Sequence, residues 1–149
     1  MKMEDDIHEA IKAVAEAKGN AENVVELAEK ATTRNALLRS LVEQELVEVD
    51  NDDLITLECL SLVTVASAKR AQECASAAES VARTAMSQMT IFAVASEIGD
   101  MVAQGDAIKS FNEAIEATSK QTESTHFHAQ HAVVTYASFR DEFPTFTIS

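Results

Sequence analysis

Three of the four histidines fall within six residues, His126-Phe127-His128-Ala129-Gln130-His131. Imidazole is the commonest metal ligand and the side chain that titrates nearest neutral pH. On a helix, His128 and His131 lie three apart and share a face, while His126 points to another side. Two histidines at that spacing supply half a metal site, so the remaining ligands must come from a second helix or a second chain. Glu123-x-x-His126 also has the spacing of the Glu-x-x-His unit of carboxylate-bridged di-iron bundles. Such a centre needs that unit twice, plus two further inward glutamates. The sequence offers one partial echo, Asp5-x-x-His8, with the shorter acid. A ferritin-like metal-binding bundle is therefore an alternative, and a solvated or subunit-facing histidine surface is the preferred reading. No metal set and no cofactor is assigned.

Other chemistry is scarcer still. Cys59 and Cys74 do not have metal-ligand spacing and read as two small buried thiols in a reducing compartment. Asp50-Asn51-Asp52-Asp53 superficially suggests a calcium loop. It lacks the glycine at loop position six and the glutamate at position twelve. There is no Gly-x-Ser-x-Gly, no cysteine near a histidine in sequence and no glycine-rich phosphate loop. With three glycines in 149 residues there is little loop in which to build a pocket. The expectation is that this is not an enzyme.

Three glycines and one proline also mean few turns, which favours a few long helices over a sheet. The net charge of −13 argues against nucleic acid and against an anionic membrane surface, because both need clustered Lys and Arg. No apolar run reaches the roughly 20 residues of a membrane span. The charge is uneven. Residues 1–58 hold 15 acids against 6 bases, whereas 59–105 hold 4 against 3.

The elements that must position these residues are helices. Ile7, Ala10, Ile11 and Val14 repeat at helical spacing over 4–18, and Gly19-Asn20 then marks a turn or a kink. Val24, Ala28, Ala31, Asn35, Leu38, Val42, Glu45 and Val49 step by fours and threes, a heptad seam over 21–49 with Asn35 on it. The 50–53 run should turn the chain, with Asn51 or Asp52 capping the next helix. From Asp53 nothing breaks that helix before Gly99, a span of roughly 70 Å if unbroken. Its alanine-rich middle, Ala66–Met89, carries two adjacent small faces. One holds Ala71, Ala75, Ala78, Ala82, Met86 and Met89, and the other Cys74, Ala78, Val81, Ala85 and Phe92. Gly99-Asp100 and Gly105-Asp106 bracket a connector, with Asp106 as the next cap. Ile108, Phe111, Ile115, Thr118, Thr122, Thr125, Ala129, Ala132, Tyr136 and Phe139 then keep a strict 3.5 repeat through 106–140, apolar at its ends and threonine in its centre. Pro144 stops any helix, and Phe143, Phe146 and Ile148 make an apolar tail.

The fold expected is all-α: an elongated antiparallel bundle of three to four helices, at about 4–18, 21–49, 53–98 and 106–140. Residues 1–140 form one domain and 141–149 an extended tail. The function expected is a non-enzymatic structural protein that self-assembles through long helices and that tail. Its partners are other copies of itself, meeting at Ala71, Ala75, Ala78, Ala82, Met86, Met89, Phe143, Phe146 and Ile148. Two small faces on one helix call for crowding by further helices, of the same chain or of another. The alternative class is an acidic interaction module (an adaptor, an inhibitor or a DNA mimic) that turns residues 1–58 toward a basic protein partner. Location is expected to be cytoplasmic or inside a viral or intracellular particle.

Overall fold

The computed structural model describes residues 2–145. Three helices follow one another: α1 (Lys2–Glu43), α2 (Asn51–Ile98) and α3 (Met101–Glu142). At 1.5 Å per residue their 42, 48 and 42 residues give rods of roughly 63, 72 and 63 Å. Short connections make neighbours antiparallel, and each helix packs on both others, so the fold is an all-α three-helix bundle. The α2–α3 pairing is the most extensive of the three.

Gly19 does not break the chain. It sits inside α1 between Ala17 and Ala21, which are 0% and 3% exposed, with Val24 at 2% in the following turn. Glycine costs a helix interior about 1 kcal/mol, less than these positions gain by staying packed on α2 and α3. The expected helices 4–18 and 21–49 are therefore one helix. It also ends earlier than the heptad seam implied. After Glu43 the Leu46 N–H bonds back to the Leu41 carbonyl and the Glu45 N–H to the Val42 carbonyl, both at 3.0 Å. That pattern is a Schellman stop, with Glu45 left-handed at φ 59° where glycine is usual. Nothing in its composition announces it.

Asp50, one residue before the expected caps, closes the N-terminus of α2, its carboxylate accepting from the Asp52 N–H. From there α2 is unbroken, with no interruption at Thr64-Val65 or Thr90-Ile91. It ends at Gly99, whose φ of 73° is the left-handed conformation a glycine adopts without strain. The expected 99–105 connector shrinks to two residues. Asp100 rather than Asp106 caps α3, accepting from the Ala103 N–H at 3.0 Å, and Gly105 lies within the helix.

The core changes character along its length. Leu38, Leu57, Tyr136 and Phe139 fill one end. Ile7, Ala85, Phe111 and Ala114 fill the other, with Met3, Met89 and Ile115 against them. Between these ends the helices meet through Ala21, Ala28, Ala68, Ala71, Ala75, Ala129 and Ala132. Thr118, Thr122 and Thr125 continue the same seam on α3.

Candidate functional site

The residues singled out by their chemistry do not converge. His126 turns toward α1, where its Nδ1 lies 2.6 Å from the Asn20 amide nitrogen. His131 turns toward α2, its Nδ1 2.8 Å from the Ser67 hydroxyl. His128 packs edge-on against the Phe127 ring, with centroids 5.2 Å apart. The three side chains thus leave α3 in three directions, and two of them join helices to one another. Among the described residues no group of three or more His, Cys, Asp or Glu is placed to hold a metal ion. The Glu123-x-x-His126 spacing is present, but among the described residues no second such unit stands opposite it.

Cys74 is buried on the α3 side of α2 and Cys59 is exposed, so the expectation of two buried thiols holds for Cys74 alone. Asn35 does lie on the α1 seam. Its Oδ1 is buried and meets no donor, a cost of about 1–3 kcal/mol for an unpaired carbonyl.

Two ion pairs fasten α1 to α2. Lys18 Nζ lies 2.8 Å from Glu79 Oε2, and Arg83 reaches the other oxygen of the same carboxylate at 2.5 Å. Arg39 pairs with Glu58 near the opposite end. The Lys18 hydrogen bond and charge, joined by the Arg83 charge, hold the Glu79 carboxyl below its ordinary pKa. Spacing along the chain does not single out these five charged residues, since only the third dimension puts Lys18 beside Glu79 and Arg39 beside Glu58.

The small-faced residues of α2 are interior. Ala71, Ala75, Ala78 and Ala82 are 0–5% exposed, with α1 on one side and α3 on the other. Met89 is half-buried at the Phe111 end, whereas Met86 is 44% exposed. The crowding those two faces call for is supplied by the chain's own helices. Phe143 folds back onto its own bundle, 5.6 Å from the Phe139 ring and against the Leu38–Leu57 cluster, so this part of the tail is already docked. Phe146 and Ile148 lie outside the described residues.

What remains is surface. A shallow groove of about 470 Å³ runs between α1 and α2, lined by Val25, Ala28, Val65 and Ala68 with Glu29 and Lys69 as its two charged residues. It holds no cluster of titratable groups. Among the described residues no helix is long and apolar enough to cross a membrane. Exposed large apolar side chains are distributed very unequally. Eight lie on α2 and six on α3, including Leu62, Ile98, Val102 and Phe127 at 61–76% exposure, against Ile11 and Leu37 on α1. Comparison with family models, with curated proteins and with solved structures finds no match for this chain.

Proposed function

We propose that this chain is a non-enzymatic structural protein that assembles with copies of itself through the outer faces of α2 and α3. The observation that carries this reading is the unequal distribution of exposed apolar side chains. Isolated surface leucines and valines are ordinary, but contiguous apolar surface marks a place where something docks. Here the crowding falls on two adjacent helices that already have each other and α1 as neighbours. The near-neutral charge of residues 59–105 supports the same reading, because copies of a chain at −13 repel one another wherever their meeting surfaces stay acidic.

The experiment is the native mass by size-exclusion chromatography with light scattering, alongside negative-stain images. A particle of two or more chains is expected. A homogeneous species at 16.1 kDa across micromolar concentrations overturns the reading.

A further inference from the structure

Along its outer edge α2 carries a second seam that none of the described residues covers. Beginning at Cys59, the positions 63, 66, 70, 73, 77, 80, 84, 87, 91, 94 and 98 alternate steps of four and three without a miss, a 3.5 repeat over nearly the whole helix. The buried positions of α2 belong to other heptad places, such as Leu57, Thr64, Ala71, Ala78 and Ala85, so this edge points away from the core. It flanks the side of α2 that meets α3, as Ser67 bonded to His131 and Ala95 bonded to Gln104 establish. Its two ends are apolar and open. Val63 is 41% exposed at one, and Ile91, Val94 and Ile98 are 47%, 53% and 71% exposed at the other. Its centre is Ala77 and Ser80, small enough for close approach.

Resting on the self-assembly reading, we infer that this edge is a two-fold interface: α2 of one copy lies antiparallel against α2 of a second copy, crossing at Ala77 and Ser80. Reversal maps the repeat onto itself. Cys59 then meets Ile98 of the second copy, Val63 meets Val94, and Ala66 meets Ile91, each contact occurring twice. The polar centre is accommodated as well, since Arg70 comes opposite Ser87 and Glu73 opposite Thr84. A parallel pairing in register instead sets Arg70 on Arg70 and Glu73 on Glu73, like charges face to face.

Charge and area fit a second copy. On this edge the only charged residues are Arg70 and Glu73, one of each sign, in a chain at −13. No Asp, Glu, Lys or Arg occurs in residues 59–68 or 124–139, which border the Val63 end. A strip about 58 Å long, from Cys59 to Ile98, and one interaxial spacing of roughly 10 Å wide covers about 600 Å² on each copy, or about 1,200 Å² over the pair, at the lower edge of the range of stable interfaces.

Cys59 makes the geometry testable. In the antiparallel dimer the two Cys59 thiols lie about 58 Å apart, 39 residues of helix, while Cys59 and position 98 of the second copy are adjacent. The native protein and the Ile98→Cys variant are treated with a short bismaleimide at the concentration where light scattering gives their mass; Cys74 is shielded by burial. The variant is expected to yield a covalent dimer and the native protein none. Val63→Glu, an exposed position, is expected to halve the light-scattering mass without loss of helical circular dichroism. A native monomer overturns the self-assembly reading itself. A native oligomer that cross-links through Cys59 alone, or an Ile98→Cys oligomer that yields no covalent dimer, overturns this interface and leaves self-assembly standing. An unchanged mass for Val63→Glu also overturns it.

Discussion

The ends and the middle of this bundle are held by different means. At the ends large side chains interlock: Phe139 and Leu57 are both 0% exposed, and so is Leu38 beside them. In the middle alanine and threonine let the helices approach, and each residue buries little area. Burial of apolar surface stabilises in proportion to the area removed from water, so the ends supply most of the cohesion per residue. The middle is instead sensitive to volume, because close-packed small residues leave no slack. Long rods of nearly uniform section therefore have two distinct vulnerabilities, cavities at the tips and bulk at the waist.

Substitutions that separate those vulnerabilities are ranked by expected size. Phe139→Ala empties the largest buried volume at its end and should cost about 3–5 kcal/mol in chemical denaturation. Ala71→Leu adds bulk where α2 is fully covered, and should cost about 1–3 kcal/mol by the same measurement. A cost larger than that of Phe139→Ala would invert the comparison and make the waist the dominant region. Asn35→Leu lies between the two regimes, one turn from Leu38. Removing an unpaired buried carbonyl there should stabilise by about 1–2 kcal/mol. No gain in midpoint would show that Asn35 finds a donor in solution.

The smallest effect concerns the clasp between α1 and α2. Glu79 titrates below its ordinary value, so its contribution is present above its unfolded pKa and is lost as pH falls through the depressed folded pKa. Glu79→Gln should lower the denaturation midpoint modestly at pH 7. It should also flatten the loss of stability below the ordinary carboxylate range, because the variant has no proton to take up there. The side chain is only half-buried and is screened by water, so a large shift would mean that the clasp does more than pair charges.

Most of the fold is readable from residue pattern. Periodicity over α2 and α3 marks both helices, and the Gly99 stop follows from the left-handed conformation, which glycine adopts without strain. The misplaced boundaries share one cause. Local signals at Gly19, Gly105 and Asp106 are each worth about 1 kcal/mol, and packing of a whole helical face outweighs them. The stop at Glu45 is the opposite case, a boundary with no local signal, imposed where the chain must leave α1 and turn toward Asp50. The histidine cluster was legible as a cluster but not as a set of helix ties, because its partners Asn20 and Ser67 lie 106 and 64 residues away. The small faces of α2 were legible as contact surfaces, yet spacing alone does not say whether the neighbour belongs to the same chain.

The threonines of α3 have a consequence for how the middle of the rod carries information. Thr118, Thr125 and Thr135 each donate to the carbonyl four residues back at 2.8 Å, as Thr64 does on α2. Their hydroxyls are satisfied within their own helix and contribute nothing to recognition of the facing one. No residue opposite must change when such a threonine becomes valine or alanine, so the waist contains few obligate pairs. Axial alignment is dictated instead by a handful of cross-helix ties and by the bulky tips. Within the limit of small side-chain volume, composition in the middle is free to drift while the rod keeps its length and its register.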